Sequence, residues 1–584
     1  MPREPFGAAR GRHSFDKPSK EDVMCTTLIV TKGASADGSM MVAHSDDDEL
    51  FDQRLIYVPA NPNPAKMRKV FAEHYRFPRI VTDDRGPGYQ PTAGQALTEP
   101  IGYIPQKKPT YAYFDGNFGI MNEHNLMIGE CTNGAKFQPK PVSREQAEKE
   151  AKRMRIMFST ELSRIALERA KTAEDAITVM GEMIEEYGYY GTGETLLVAD
   201  EDEAWVFEMC ALPDDIYHSA WVAQQVPDGT VFVAANEFRI RKIDPANRDK
   251  FRVSKLLEEG LEKVGWWNPN DGPIDWLRAV SHGEYNHPYY SLRRVWRVLD
   301  RVNPDLGLSP WVKDGFTEDY PFSVKPKRKL SVQDVFSLYR DHYEGTQFDL
   351  TRGVAAGPYG DPHRFAGLYD GAQNNITEEK VFYGAWERAI SVFYQGYTFV
   401  NQIRVDTKER KIPEKTKGIV WYGPDVAYTT CFAPFPVRAT ALPDAYQKGN
   451  PQKFDMDIAW WLFDFVASWS RLNFQRMCHV DILPKQAELE AEMREQLLSL
   501  DDDINKGTPR NINQFCQDVS ARIIEQWQQL AMELIAKYSD GYINLPDQKM
   551  PVEIGYPARW LIHTDYSEGP TTYEMKPNHL HDHA

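Results

Sequence analysis

The sequence predicts an α+β fold in which stacked sheets are covered by helices. Short apolar runs rich in β-branched and aromatic residues, separated by turns, recur up to about residue 443. Helical patterns separate some of these runs, and from about residue 455 the pattern is mainly helical. Because each sheet and each helix must bury its apolar face, this alternation predicts layers packed around a core.

The first predicted element is a β-hairpin. Residues 26–31 form an apolar, β-branched run, residues 33–38 form a turn, and residues 39–43 return as a second strand. Folding about this turn brings the acidic run at residues 44–48 beside Cys25. A solvated loop is the alternative for that run, but a carboxylate beside an N-terminal amine can hold the amine in place.

Cys25 directly follows Met24 and becomes an N-terminal residue if the preceding segment is removed. A cysteine at a free N-terminus carries nucleophile and base on one residue, because its α-amine, with an unperturbed pKa of about 7.7–8.0, accepts the thiol proton. The alternative is a small apolar strand residue. Removal by autoproteolysis at Met24–Cys25, or translation from Met24 followed by trimming, would both expose Cys25, and the sequence does not choose between them.

Later elements follow the same signals. We expect further strands at residues 54–58, 126–132, 195–200, 204–208, 221–223, 231–236, 392–393, 398–400, 418–422 and 427–432. We expect helices from a capping box at Ser143 towards Arg169, from Thr172 onwards, and at residues 486–500 and 515–538.

Composition and charge exclude several classes of protein. The net charge of -17 and the pI near 5.4 argue against a nucleic-acid binder, because a phosphate-binding surface needs a positive field. The richest apolar run, residues 459–463, is soon broken by Asp464, well short of the roughly 20 residues that span a bilayer. Six cysteines without a CxxC motif fit a reduced interior, and residues 1–23 lack the apolar stretch of a secretory signal. We therefore expect a cytoplasmic protein with no membrane partner.

Three short segments near the start resemble a known family. They are Cys-Thr-Thr at residues 25–27, Ala-Ser-Ala-Asp-Gly-Ser at residues 34–39 and Ala-His-Ser-Asp-Asp at residues 43–47. Together they resemble the opening of the dipeptidases of peptidase family C69, which are N-terminal-nucleophile hydrolases related to penicillin V acylases and bile salt hydrolases. His44 and Ser45 stand where many relatives have Arg and Asn, while Asp47 matches the final Asp.

The resemblance runs discontinuously to about residue 542 and implies a fold. It includes residues 121–132, residues 233–236, residues 348–365 and the helical tail. It implies a four-layer αββα N-terminal-nucleophile hydrolase sandwich with a C-terminal helical extension. The implied division is a removable segment at residues 1–24, a hydrolase core with inserted loops at 25–445, a helical extension packed on the core at 446–545, and a tail at 546–584.

The resemblance also implies roles for particular residues. Cys25 would be the nucleophile, and Asp47 would help to orient its amine. The Asn236 side chain and the Thr132 backbone amide would hold the oxyanion, and Arg364 would lower the pKa of the thiol. A turn-forming role for Asn236 and an exposed structural role for Arg364 are the alternatives.

These residues predict a cysteine-type dipeptidase that hydrolyses the amide bond of a small peptide through a thioester. No cofactor and no metal are expected, although His44 with Asp46 and Asp48, or the histidines within residues 579–583, could bind a cation. An N-acyl amide acylase and a catalytically silent binding protein on the same scaffold are the alternatives. The oligomeric state stays open, a homo-oligomer included.

Overall fold

Two antiparallel sheets form the centre of the fold, which is α+β as the sequence predicts. The computed structural model describes residues 24–48, 52–92, 94–284, 289–365 and 386–564. Nearly all of the predicted removable segment, at residues 1–23, and the end of the predicted tail, at residues 565–584, lie outside the described residues.

Most of the strands belong to the two large sheets. In chain order the strands are β1 (Met24–Val30), β2 (Met40–Asp47), β3 (Ile56–Val58), β4 (Met67–Val70), β5 (Gly102–Pro105), β6 (Tyr113–Asp115), β7 (Gly119–Asn122), β8 (Met127–Asn133), β9 (Gly193–Ala199), β10 (Ala204–Ala211), β11 (Ser219–Gln225), β12 (Val231–Ala234), β13 (Phe251–Val253), β14 (Ser323–Val324), β15 (Tyr397–Ile403), β16 (Gly418–Pro424), β17 (Ala433–Pro436), β18 (Tyr542–Ile543) and β19 (Val552–Glu553). Among the described residues, one sheet has seven strands in the order β14-β12-β1-β2-β15-β16-β17. The other has eight, in the order β13-β11-β10-β9-β8-β7-β6-β3.

The predicted opening hairpin is confirmed and lies in the middle of the seven-stranded sheet. β1 pairs with β2 on one side and with β12 on the other, and β2 also pairs with β15. Both hairpin strands are longer than predicted, because β1 begins at Met24 and β2 continues to Asp47. Part of the acidic run is therefore strand rather than loop, and Asp46 faces Cys25 across the ladder.

The two sheets contact each other where β1 and β2 face β8 and β9. Gly129 makes this close approach feasible, since a Cβ atom there would lie 2.8 Å from Thr27 Oγ1 and 3.0 Å from a methyl carbon of Val42. Such distances are shorter than packed atoms tolerate. The glycine thus brings the next residue of β8, Glu130, against the strand that carries Cys25.

Helices cover the outer faces of both sheets. In chain order they are α1 (Arg144–Glu150), α2 (Ser159–Arg169), α3 (Ala173–Tyr187), α4 (Leu257–Lys263), α5 (Trp276–Val280), α6 (Leu292–Val302), α7 (Val332–Tyr339), α8 (Asp444–Gln447), α9 (Ala459–Ser470), α10 (Phe474–Arg476), α11 (Leu483–Asn505), α12 (Ile512–Lys537) and α13 (Ala558–His563). α2 and α3 pack on the eight-stranded sheet, whereas α6, α7, α9, α11 and α12 pack on the seven-stranded sheet. The predicted helices at residues 486–500 and 515–538 are confirmed within α11 and α12. No helix in the described part of the chain is long and apolar enough to cross a membrane.

The helix predicted from Ser143 towards Arg169 is two helices. The capping box exists, with Ser143 Oγ accepting from the backbone of Gln146 and the Gln146 side chain accepting from the backbone of Ser143. α1 ends early because Ala151 adopts a left-handed conformation with φ of 51°. The following residues are held by the buried guanidinium of Arg155, which donates to the backbone carbonyls of Tyr189, Leu212, Asp214 and His218.

Two predicted strands are wrong. Residues 392–393 and 427–432 lie outside the strands, with turns at residue 393 and at residues 427–429. Within them Thr430 Oγ1 donates to a backbone carbonyl, and Gln395 Oε1 accepts from the backbone of Ala427 at 2.9 Å. These side chains replace the partners that a neighbouring strand would supply. Both segments are nevertheless largely buried, which explains why their apolar pattern resembles that of strands.

Candidate active site

Cys25 occupies the first fully buried position of the central strand β1. Its exposed fraction is 0%, and it lies opposite Asp46. Met24 is joined to Cys25 in this structure, so the Cys25 nitrogen is a peptide amide. That N–H donates to Asn236 Oδ1 at 3.2 Å. Asn236 therefore marks the place that an N-terminal amine of Cys25 would occupy after cleavage.

Asn236 lies just beyond β12 in a left-handed conformation, with φ of 61°. Asparagine tolerates this conformation better than most residues, because its short side chain can bond locally. The Asn236 Nδ2 donates to the Thr132 carbonyl at 2.7 Å, and Ser291 Oγ donates to the Asn236 carbonyl at 3.0 Å. The structure thus brings Cys25, Thr132 and Asn236 together, while their catalytic roles remain predictions.

Asp47 lies opposite Met24 across the β1–β2 ladder and is buried. Arg388 Nη2 donates to Asp47 Oδ2 at 2.5 Å, whereas Asp47 Oδ1 has no hydrogen-bond partner among the described residues. Burial raises the pKa of Asp47, and the charges of Arg388 and Arg294 act in the opposite direction. The carboxylate is therefore held by Arg388 on the strand that neighbours β1, one register position from Cys25.

Arg294 of α6 binds the same group of residues, although the sequence analysis did not select it. Its guanidinium is buried and donates to the Cys25 carbonyl at 2.7 Å, to Thr26 Oγ1 at 3.0 Å and to Asn236 Oδ1 at 2.7 Å. Five donors in a rigid fork allow one arginine to hold several acceptors at fixed angles. Arg294 thereby fixes the start of β1 relative to Asn236.

Glu130 of β8 is the second residue that the sequence analysis did not select. The Cys25 thiol donates to Glu130 Oε2 at 3.1 Å, and Thr132 Oγ1 donates to Glu130 Oε1 at 2.9 Å. Glu194 of β9 lies beside it, and both carboxyl groups are fully buried. Burial raises the pKa of both Glu130 and Glu194, and the charge of Glu130 adds to the rise at Glu194.

The pKa of the Cys25 thiol is raised well above its ordinary value. Burial is the largest cause, and the negative charges of Glu130 and Asp46 follow. The thiol is therefore protonated in a chain that still carries Met24. A reactive thiolate at this position requires a group that removes the proton as the thiol attacks.

Arg364 lies apart from these contacts. Its guanidinium donates to the backbone carbonyls of Leu350 at 2.7 Å, Asp361 at 2.8 Å and His363 at 3.1 Å. It lines a cavity of about 70 Å³ together with Arg388, the partner of Asp47. The two arginines therefore face a common space, and an effect of Arg364 on the thiol remains a prediction.

His44 of β2 presents a neutral, buried ring beside the nucleophile. Burial lowers the pKa of His44 to about 4, and the ring stacks on Phe399 at 5.2 Å between centroids. Ligand atoms of Cys25, His44 and Glu130 lie within 4.8 Å of one another, close enough to surround a metal ion. His44 Nδ1 lies 2.7 Å from the backbone oxygen of Glu130, whereas His44 Nε2 has no hydrogen-bond partner among the described residues. Metal independence stays a prediction.

A thiol surrounded by a side-chain amide, carboxylates and arginines is typical of hydrolases with a cysteine nucleophile. A comparison with protein families agrees with this class. The model of peptidase family C69 matches residues 24–483, which is most of the chain. The chain therefore belongs to peptidase family C69 and is a peptidase, and the resemblance found in its sequence is confirmed.

Individual relatives are similar over long stretches at low identity. A probable dipeptidase of Latilactobacillus sakei is 24% identical over 460 residues, which cover 78% of this chain and 83% of the relative. Dipeptidase A of Lactobacillus helveticus is 22% identical over 462 residues, covering 77% and 82%. A probable dipeptidase of Salmonella dublin is 26% identical over 330 residues, covering 56% and 68%.

Proposed function

We propose that this peptidase is a cysteine-type dipeptidase whose nucleophile is the thiol of an N-terminal Cys25. The carrying observation is the position of Cys25, which begins a central strand with its nitrogen on Asn236 Oδ1 and its thiol against buried carboxylates. Membership of family C69 and the dipeptidase names of the relatives support the substrate class. The substrate is a small peptide.

The reaction begins when residues 1–24 are absent and the Cys25 nitrogen is an amine. The amine accepts the thiol proton, and Sγ attacks the scissile carbonyl carbon. The tetrahedral oxyanion receives hydrogen bonds from Asn236 Nδ2 and the Thr132 backbone N–H. Nδ2 has two hydrogens, and only one is needed for its bond to the Thr132 carbonyl. A donor of this kind contributes about 3–4 kcal/mol to the transition state.

The second half of the reaction releases both products. The Cys25 ammonium gives its proton to the leaving nitrogen as the carbon–nitrogen bond breaks, which leaves a thioester on Sγ. Water, activated by the same amine, then attacks the thioester and restores the thiol. The atoms balance without a metal or an organic cofactor.

The charged residues around the nucleophile hold these groups in place. Asp47, bound to Arg388, orients the Cys25 amine from the neighbouring strand. Arg294 holds the Cys25 carbonyl and Asn236 Oδ1 together. Arg364 acts from across the cavity that it shares with Arg388, so its influence on the thiol pKa is expected to be weaker.

The finer description of the fold also belongs to this proposal. Two facing antiparallel sheets with helices on both outer faces support the four-layer αββα sandwich of N-terminal-nucleophile hydrolases. We keep the division into a hydrolase core at residues 25–445 and a helical extension at 446–545. The cytoplasmic location stays a prediction from the sequence.

The first test is the N-terminal residue of the active protein. Intact-mass measurement and N-terminal sequencing should find Cys25 first, and that material should hydrolyse members of a dipeptide panel. A parallel panel of N-acyl amides should be poor substrates. Full activity of molecules that retain residues 1–24 would disprove the amine as base, and turnover confined to N-acyl amides would replace the dipeptidase by an acylase.

A further inference from the structure

Before residues 1–24 leave, the thiol of Cys25 needs a proton acceptor other than its own amine. In that state the Cys25 nitrogen belongs to a peptide bond and donates its hydrogen to Asn236 Oδ1. An amide nitrogen has its lone pair delocalised into the carbonyl and is not a base near neutral pH. If the chain cleaves itself at Met24–Cys25, another group must therefore receive the thiol proton.

Glu130 is in place to receive it. Its Oε2 lies 3.1 Å from Cys25 Sγ, within the range of a hydrogen bond to sulfur, and both side chains are fully buried. Thr132 Oγ1 holds the other carboxylate oxygen at 2.9 Å, which leaves Oε2 directed at the thiol. The close approach of the sheets at Gly129 fixes the distance between β8 and β1. This geometry meets the reach that a general base requires.

The electrostatic surroundings favour transfer of the thiol proton from Cys25 to Glu130. Glu194 lies against Glu130, and two buried carboxyl groups in contact cannot both ionise easily, so the pair retains a proton. A carboxylate in such surroundings is a stronger base than one in water. Transfer from Sγ to Glu130 also leaves the net charge of the buried group unchanged, because it moves a negative charge rather than creating one.

We propose that Glu130 is the general base for removal of residues 1–24. This inference rests on the proposed function only in taking Cys25 as the nucleophile. Glu130 accepts the Sγ proton while sulfur bonds to the Met24 carbonyl carbon. It then returns the proton to the Cys25 nitrogen as the Met24–Cys25 carbon–nitrogen bond breaks, which leaves a thioester and a free α-amine. Water hydrolyses the thioester to a Met24 carboxylate and restores the thiol.

The test follows self-cleavage of the full chain. Wild type, Glu130→Gln and Glu130→Asp are made by cell-free synthesis from Met1, and loss of residues 1–24 is timed by intact mass between pH 5 and 9. We expect Glu130→Gln to slow cleavage at least ~100-fold and Glu130→Asp to retain part of the rate. The rise of the wild-type rate with pH should disappear in Glu130→Gln. A Glu130→Gln rate within threefold of wild type, with the same pH profile, would overturn the inference.

Glu194→Gln is the matched variant, because it replaces the neighbouring carboxyl group by an amide without touching the thiol. It should still cleave itself, and its pH profile should move to higher pH, since the hydrogen bond from the Glu194 carboxyl lowers the pKa of Glu130 and is lost in this variant. Hydroxylamine provides a chemical check by attacking thioesters. If it releases residues 1–24 from Glu130→Gln at the wild-type rate, the attack of the thiol does not need Glu130 and the inference fails.

Folding is measured in each variant by thermal unfolding. If Glu130→Gln does not fold, Thr132→Val tests the same contact by removing the hydroxyl that holds Glu130 Oε1. Cleavage by Thr132→Val should slow about tenfold, and a wild-type rate would overturn the inference.

A chain whose synthesis starts at Met24, with Met24 then removed by methionine aminopeptidase, distinguishes the role of Glu130 from the proposed function. If that chain hydrolyses dipeptides while the full-length wild type never cleaves itself, only the proposed role of Glu130 is disproved. If the full-length wild type cleaves itself but the product does not hydrolyse dipeptides, only the proposed function is disproved.

Discussion

Two clusters of buried acids in this molecule have opposite surroundings. The arginine cluster joins α2 to β4 and to a loop residue, and it contains Arg68, Arg85, Arg164, Glu161 and Glu168. The thiol cluster lies between the two sheets beside the nucleophile, and it contains Cys25, Asp46, Glu130 and Glu194. All of these side chains are buried.

The two clusters differ in their counter-charges. Burial alone would raise the pKa of Glu161, but Arg68, Arg85 and Arg164 together lower it to about 2. Burial raises the pKa of Glu130 and Glu194, and neither has an arginine among its largest influences. Paired burial therefore makes permanent ions that fasten elements together, whereas unpaired burial makes groups whose protons can move.

The largest effect should come from replacing the nucleophile. Cys25→Ala should abolish dipeptide hydrolysis, and Cys25→Ser should lose most of it, on the order of 10³-fold or more, because a hydroxyl is far less acidic than a thiol. Thermal stability should change little. All six cysteines are buried in the chain that still carries Met24. We expect removal of residues 1–24 to open the site at Cys25, so in processed wild type iodoacetamide should label Cys25 faster than the other five.

Cys210→Ala is the control for that experiment. Cys210 is buried in β10, away from the thiol cluster, so its loss should cost about 1 kcal/mol of stability and no turnover. Undiminished hydrolysis by folded Cys25→Ala would place the nucleophile elsewhere in the chain.

Isosteric Glu→Gln changes in both clusters test the contrast itself. Glu161→Gln leaves three buried arginines short of a partner and should cost roughly 3–5 kcal/mol of unfolding free energy. Glu194→Gln removes an acid that burial already keeps protonated and should change stability by less than about 1 kcal/mol. Urea unfolding of both variants at pH 7 measures the two losses of unfolding free energy. Equal losses would contradict the proposed difference between paired and unpaired buried acids.

The pH dependence of these variants should have opposite signs. The folded pKa of Glu161, about 2, lies below an unfolded value near 4.3, so its contribution is present above pH ~4.3 and is lost as pH falls towards 2. The difference in unfolding free energy between wild type and Glu161→Gln should therefore become smaller at acidic pH. The folded pKa of Glu194 is raised, so wild type loses stability relative to Glu194→Gln as pH increases.

Asp47→Asn combines features of both clusters, because Asp47 has an arginine partner and also touches the site. We expect a fall in kcat on the order of 10²-fold with the fold retained, since the amide cannot orient the Cys25 amine by charge. Asp52→Asn is matched to it, because Asp52 is buried between Arg54 and Arg79 but lies outside the site. Its kcat per folded molecule should stay unchanged. Wild-type turnover by Asp47→Asn would exclude Asp47 from catalysis.

Arg364→Ala should have the smallest effect. Its guanidinium binds backbone carbonyls and reaches the site only through the shared cavity, so we expect a rate loss of roughly 3–10-fold. Arg388→Ala should reduce the rate more, because Arg388 binds Asp47 directly. Steady-state kinetics of the two variants rank them, and a folded Arg364→Ala enzyme with unchanged kinetics would remove Arg364 from the site.

The sequence predicts those parts of the site that have a local signature. Cys25 and Asp47 belong to one hairpin whose turn and strands are visible in 24 consecutive residues, and the hairpin alone sets their register. Asn236 ends an apolar strand, and Thr132 lies in a similar run, so both follow from strand boundaries. The segment at residues 427–432 misled the prediction because burial, not strand pairing, produced its apolar pattern.

The residues that the sequence did not reveal act over long separations. Glu130 meets the thiol across 105 residues, Arg294 meets the Cys25 carbonyl across 269, and Arg388 meets Asp47 across 341. Nothing in the local pattern of a strand or a helix indicates which distant group its polar side chain will face. α6 contains four arginines, and only the packing of α6 beside β12 selects Arg294 among them.

The central position of β1 also determines when, during synthesis of the chain, the active site can form. The strand that begins at Cys25 needs β12, which ends at Ala234, and its neighbour β2 needs β15, which ends at Ile403. At about 5–20 residues per second, the ribosome takes roughly 20–75 s to travel from Cys25 to Ile403. Throughout that interval the nucleophile strand is made but lacks the sheet that houses it. A nascent chain is therefore unable to cut peptides until most of it has been translated, and the start of the protein is among the last parts to become active.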